Sequence, residues 1–374
     1  MRFRSQLTNI NTFAKFTASL SSLGKICWVR LEDEVVRFTI IPDQGTQVWA
    51  QLPIETVFES YSISAASGVI NLEVPIGALH RALRSATSAS SAQLRLTKKG
   101  SLPLLALTVV TSSWTSGKNA LGMGSSNSNP NINNPTNNSS TMPPPPSRDR
   151  DQEPTNMTDM PRERETIITQ EIPVRVLSPS AVEGLHEPRC RNPDVHIVLP
   201  SLIQLKSISE RFTKLAQETA SNTIISTTTA TNNPSSSTGP ATATANNPTS
   251  SPKLELSANM HGSLKLAIAT DTLRISSVWT DLLNPPLDPA QLSQNELEQL
   301  PSERMRELGG EAEEGWAKVR IDGRDWGRVL SVGRLSPRVV ACFIHDTALI
   351  LYVYLPESGG EYSCLTYYIN SYAA

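Results

Sequence analysis

The chain has 374 residues, enough for two ordinary domains that each bury a core of their own. A formal net charge of −2 excludes a generally basic nucleic-acid binder, so any such role has to rest on local segregation of charge. Cys27, Cys190, Cys342 and Cys364 show no C-x-x-C spacing, Arg2, Arg4 and Gln6 interrupt the first apolar stretch, and no run of apolar residues reaches bilayer length. Neither a disulfide framework, a signal peptide nor a membrane span is therefore expected, and a reducing intracellular compartment is.

Met1 to Leu7 alternates as a half-buried strand does, and Asn9 or Asn11 can cap a helix after it. The spacing predicts that helix to end near Leu23, with Phe13, Phe16, Leu20 and Leu23 on one face and Lys15 as its single charged residue. Ile26 to Leu31, Val35 to Ile41 and Thr46 to Leu52 read as a meander joined by short acidic turns. Val57 to Ile63 and Val69 to Val74 read as further strands, and Pro75 opens a second helix, Ile76 to Ala86, where its missing N–H costs nothing. In that helix Leu79, Leu83 and Ala86 face inward, while Arg81 and Arg84 lie on the other side with no carboxylate in the helix to neutralise them. Ala92 to Thr97 and Leu104 to Val110 complete a β-rich unit containing two helices.

From Thr111 to about Arg164 the composition turns to Ser, Asn, Thr and Pro, too poor in apolar residues to offset chain ordering, so disorder is expected. The strand signal returns at Thr166 to Leu177, where Pro173 marks an edge strand, and Ser178 to Asp194 reads as a connector.

The plan then restarts. Val195 to Leu199 runs into Pro200 and Ser201, after which Leu202, Leu205, Ile208, Phe212 and Leu215 recur at helical spacing. Lys206, Arg211 and Lys214 fall within an arc of roughly 140° on the other side of this helix. A second Ser/Thr/Asn/Pro tract, about Glu218 to Ser251, precedes strands at Lys253 to Asn259, Ser263 to Ala269 and Thr272 to Leu282. In the last of these Val278-Trp279 echoes Val48-Trp49. A third insertion, Asn284 to about Glu314, is acidic and Gln-rich with helical propensity around Leu297 to Leu308, and is expected to be peripheral. Ala317 to Ile321 leads into a helix, Asp322 to Val332, where Asp322 and Asp325 accompany Arg324 and Arg328; Pro337 to His345, Ala348 to Leu355 and Tyr362 to Asn370 close the chain. The predicted organisation is a first domain at 1–177, a connector at 178–194 and a second domain at 195–374.

No catalytic constellation emerges. The five histidines never pair at i and i+4 or beside a cysteine, there is no G-x-S-x-G elbow, and Gly122-Met123-Gly124 lacks the strand and helix that a phosphate loop needs. No cofactor or metal is expected, and an enzyme has the least support.

Two copies of strand, helix, meander, helix and strands is the plan of DNA sliding clamps, an α+β fold with two helices per domain packed on antiparallel sheets. The chain resembles the Hus-one subunit family of the checkpoint clamp through Met1-Arg2-Phe3-Arg4, Val48-Trp49, Leu79-His80-Arg81-Ala82-Leu83, Pro193-Asp194-Val195-His196-Ile197-Val198-Leu199-Pro200 and Asn284-Pro285-Pro286-Leu287. The order and spacing of these stretches cover both halves outside the insertions. The resemblance implies a PCNA-like heterotrimeric ring with Rad-nine type and Rad-one type subunits. A clamp loader would place it on double-stranded DNA at damage-associated junctions, in the nucleus after a cytoplasmic stage, as a platform for checkpoint kinase signalling and repair. It implies that four helices line the DNA channel, with Lys15, Arg81, Arg84, Lys206, Arg211, Lys214, Arg324 and Arg328 as phosphate contacts that read no sequence. Subunits would join edge to edge through Thr166, Ile168, Ile172, Val174 and Val176 on one side and Leu273, Ile275 and Val278 on the other. An interaction scaffold of the same fold that encircles no DNA is the alternative.

Overall fold

The computed structural model describes residues 1–42, 45–115, 162–228, 253–271, 273–285, 299–336, 338–355 and 364–372. The first half runs β1 (Arg2–Leu7), α1 (Ile10–Ser21), β2 (Ile26–Leu31), β3 (Val35–Ile40), β4 (Gln47–Pro53), β5 (Phe58–Ser64), β6 (Ile70–Pro75), α2 (Ile76–Ser85), β7 (Ser91–Lys99), β8 (Leu102–Thr115), β9 (Arg162–Pro173) and β10 (Arg175–Leu177). The second runs β11 (Val195–Val198), α3 (Leu202–Thr228), β12 (Lys253–Ala258), β13 (Leu264–Ala269), β14 (Arg274–Trp279), β15 (Ala317–Asp322), α4 (Gly323–Val329), β16 (Val339–Ile344), β17 (Ala348–Tyr354) and β18 (Cys364–Asn370).

The strands form three antiparallel sheets, ordered β5-β1-β7-β8-β9, β10-β6-β2-β3-β4-β18-β17-β16-β11 and β14-β13-β12-β15. The halves repeat one topology: β1-β7-β8-β9 matches β11-β16-β17-β18, and β6-β2-β3-β4 matches β15-β12-β13-β14. Where β4 meets β18 the halves join into one sheet, with Leu365 opposite Ala50 and Tyr367 opposite Val48. The alternation read in β1 is an exposed-buried alternation whose odd members, Phe3 and Leu7, enter the core. There Phe13, Phe16, Phe38 and Phe58 pack edge to face around α1, with ring centroids 4.9 Å apart for Phe16 and Phe38.

Several boundaries differ from the sequence reading, each for a local reason. Val57 ends a helical turn, Ile54–Val57, and the strand starts at Phe58. Thr166 to Leu177 is two strands: Pro173 has no N–H for the ladder, the Val174 N–H donates to the Pro103 carbonyl, and the chain crosses from the first sheet to the second. β8 and β9 pair as far as Thr115 and Arg162, inside the tract expected to be disordered, and residues 116–161 lie outside the described residues. α3 likewise runs to Thr228, ten residues past the start expected for the second tract, because a helix nucleated on a packed stretch propagates cheaply through weaker formers; residues 229–252 lie outside the described residues. The third insertion is not wholly peripheral: Leu300 and Ser302 of the segment bearing the helix Pro301–Glu307 are buried, and that helix packs on β11. Residues 286–298 lie outside the described residues. The last predicted helix divides into α4 and a 3₁₀ turn, Leu330–Arg334.

Gly262 turns the chain between β12 and β13 at φ +76°, and a Cβ built there would collide with the Leu282 carbonyl. Gly262→Ala is expected to destabilise the protein by at least about 1–2 kcal/mol from the left-handed backbone alone. An unchanged urea midpoint would contradict this reading of the turn.

His196 on β11 stands opposite Cys342 and is 2% exposed, and among the described residues neither ring nitrogen makes a hydrogen bond of good geometry. Burial lowers its pKa from 6.5, and Arg306 pushes the same way, whereas the Pro285 carbonyl and Glu303 oppose them. The folded chain thus binds the proton less readily than the unfolded chain does. The contribution of His196 to stability is complete above the unfolded pKa of about 6.5 and is lost as pH falls from there towards the folded value, with a slope of up to about 1.4 kcal/mol per pH unit. Urea midpoints of wild type and His196→Leu should differ in pH slope between about pH 7.5 and 5.5; identical slopes would show that His196 titrates normally.

Candidate nucleic-acid interface

The four helices form one layer. α1 and α2 lie together, with the His80 Nδ1–H donating to the Ala14 carbonyl at 3.1 Å. α3 packs on α4 and on the 3₁₀ turn, and α1 reaches that same turn, where the Ser22 and Ser331 hydroxyls meet at 3.3 Å. The Trp326 indole N–H on α4 donates to the Ser209 hydroxyl on α3 at 3.1 Å, and Ser209 in turn donates to the Leu205 carbonyl. Trp326 is fully buried, so this bond fixes the spacing of the two helices inside the core.

On α1 and α2 the apolar stripes bury against the sheets and leave the opposite faces polar, whereas on α3 Ile203 is 72% exposed and Leu215, expected in the buried stripe, is 40% exposed. Lys15 on α1 and Arg81 and Arg84 on α2 are exposed and make no ion pair among the described residues. On α3 and α4 the charges are gathered differently. Lys206, Lys214, Arg324 and Arg328 line one open groove of 520 Å³, together with Glu210 and Ser331, whereas Arg211 is exposed on α3 outside it. Three of those cations are partnered: Lys206 with Glu210 at 3.8 Å, Lys214 with Glu218 at 3.8 Å, and Arg328 with Asp325 at 3.3 Å. Asp322 does not neutralise this face. Its carboxylate caps α4, accepting the Arg324 and Asp325 N–H groups, and pairs with Lys253 at 3.2 Å.

The edge residues separate as well. Thr166 and Ile168 are exposed on β9, and Val278 is exposed on β14. Leu273, Ile275 and Val176 are half-buried against the core, while Ile172 and Val174 are buried within it, so the side chains of these last two serve this chain's own packing.

A second concavity lies on the far side of the molecule from the helices. The connector, with its helical turn Pro179–Val182, passes over the continuous sheet and leaves a groove of 430 Å³ lined by Trp28, Trp49, Leu185, His186 and Tyr352. Glu187 of the connector accepts from the Tyr368 hydroxyl at 2.9 Å, and the buried indole N–H of Trp49 has no partner among the described residues. The sequence reading missed this groove, because its walls come from both halves and only the β4–β18 junction brings them together.

Chemically the helix layer offers fixed positive charge and little else. Among the described residues no cluster of three His, Cys, Asp or Glu side chains is placed to hold a metal, and none of their helices is long and apolar enough to cross a membrane. Burial raises the Cys342 thiol to about 12 and the Cys364 thiol to about 11, which leaves both unreactive.

Solved structures define the class of the fold. PCNA from Entamoeba histolytica superposes with a TM-score of 0.54 at 10% identity, covering 99% of each chain. PCNA from Thermococcus kodakaraensis does so with a TM-score of 0.54 at 14% identity over 99% of this chain and 100% of that one. The fold is that of the sliding clamps. Over residues 1–373 the chain matches the family model described as Hus1-like protein, and it belongs to that family. It is 32% identical to checkpoint protein hus1 of Schizosaccharomyces pombe over 100% of this chain and 99% of that protein. It is 23% identical to the human checkpoint protein HUS1 over 96% of each. The chain is thus a checkpoint clamp subunit, of a family and fold that are non-catalytic.

Proposed function

We propose that this subunit closes a heterotrimeric ring around duplex DNA with partners of the Rad-nine and Rad-one types. The supporting observation is the internal repeat: β4 and β18 pair with each other, while their counterparts β14 and β9 have open edges among the described residues. A neighbouring subunit's edge strand docked antiparallel on β9, and another on β14, would repeat between chains the junction that already joins the two halves. In that ring the helix layer faces the channel, and Lys15, Arg81, Arg84, Lys206, Arg211, Lys214, Arg324 and Arg328 meet phosphates through charge, without reading bases.

A clamp loader would place the ring at damage-associated junctions in the nucleus, and the outer groove with its unpartnered Trp49 N–H would serve the platform role in signalling and repair. Co-purification and size analysis with the Rad-nine and Rad-one type subunits of the same organism tests the assembly. A stable 1:1:1 complex is expected, and a monomer that ignores both partners would overturn it.

The carboxylates beside Lys206, Lys214 and Arg328 favour one alternative, a ring-forming scaffold that holds no DNA. Retention on closed circular DNA separates the two: a clamp is held until the circle is linearised, and a scaffold is never held.

A further inference from the structure

The outer face of the first sheet carries a charge arrangement that the fold does not need. Arg4 of β1 and Arg95 of β7 are directly opposed across the antiparallel pair, and Arg2 lies two residues along the same exposed face. Like charges in that register oppose sheet formation. No carboxylate compensates: Arg2, Arg4 and Arg95 form no ion pair among the described residues, and the acidic group in register with Arg95 across β8, Glu171, is taken by Lys99 at 3.3 Å. What does touch Arg4 is neutral. In the amide orientation that satisfies both groups, the Gln93 carbonyl accepts from Arg4 Nε and Nη2, each at 3.1 Å, which aims the guanidinium without cancelling its charge. Ser62 and Ser64 stand opposite Arg4 and Arg2 on the other side, so hydroxyls flank the arginines.

We propose that Arg2, Arg4 and Arg95 form a docking site for a phosphorylated serine or threonine in an extended segment of a partner protein. The charge is concentrated at one point, since opposed residues in an antiparallel pair have Cα atoms only about 4.5–5.5 Å apart. That suits a single dianionic phosphate ester, whose oxygens accept from several guanidiniums at once. A duplex presents its phosphates strung along a line and would call for a stripe of cations, which this sheet face lacks. Phe3, the residue between Arg2 and Arg4, points the other way into the core beneath the helices, so the site lies on the opposite side of the sheet from the helix layer and can be occupied independently of it.

The test uses the full chain and two fluorescein-labelled degenerate peptide pools, one with a fixed phosphothreonine and one with threonine in its place, read by anisotropy. The phosphorylated pool should bind and the other should not. R4Q/R95Q should weaken binding by at least about tenfold, whereas R81E/R84E leaves it unchanged. Thermal melting of R4Q/R95Q should match or exceed wild type, because a repulsive pair has been removed. Equal binding of the two pools, wild-type binding by R4Q/R95Q, or binding through these arginines of a duplex oligonucleotide instead of the peptide would overturn the proposal. So would a lower melting temperature of the variant, which would assign the arginines to the fold.

Discussion

Replacing Arg81 and Arg84 together by glutamate is expected to reduce loading of the ring onto closed circular DNA by about tenfold or more near physiological salt, while the ring still assembles. Both guanidiniums are exposed, neither has an ion-pair partner among the described residues, and the buried members of α2, Ile76, Leu79, Ala82 and Leu83, are untouched. Each lost phosphate contact removes about 0.9 from the slope of log affinity against log salt, so two remove about 1.8, and reversal adds repulsion to the loss. The same change at Lys206 and Lys214 should have a smaller effect, because Glu210 and Glu218 already lie 3.8 Å from those ammonium groups. Equal effects at the two pairs would show that these surface ion pairs open freely on DNA, and no effect at Arg81 and Arg84 would remove them from the channel.

The largest expected effect on stability is at Trp326. Its side chain is fully buried between α3 and the sheets, so Trp326→Ala combines lost apolar contact with a cavity, about 3–5 kcal/mol, and leaves the Ser209 hydroxyl without its indole donor. That is a large part of the roughly 5–15 kcal/mol by which a folded domain is stable. Trp326→Phe keeps most of the packing and loses the hydrogen bond, so its urea midpoint should fall between those of Trp326→Ala and wild type. A wild-type midpoint for Trp326→Ala would mean that the two helices are spaced by other contacts.

The local elements were legible in the chain alone, because each depends on a short period. Phe13, Phe16 and Leu20 at helical spacing, the alternation of Met1 to Leu7, and Pro75 ahead of Ile76 are all commitments of neighbouring residues, and each is realised at its own position in the fold. The repeat was legible for the same reason, since it is an order of local elements. Carbonyl and carboxylate partners were not. Asp322, read from its spacing as a companion of Arg324 and Arg328, turns its oxygens to the helix N-terminus and to Lys253, a residue 69 positions away. Ser209 reads as a gap in an apolar stripe until Trp326, 117 positions later, supplies its donor.

Which strands find partners is settled by the folded chain and by nothing shorter. β4 and β14 look alike in sequence, each carrying a Val-Trp pair, yet β4 is closed by β18 and β14 stays open. The Val-Trp pair does not distinguish them. Pairing joins segments tens to hundreds of positions apart, and its energy comes from main-chain groups that every residue shares, so the open edges, the outer groove and the opposed arginines of β1 and β7 become visible only once the sheets are assembled.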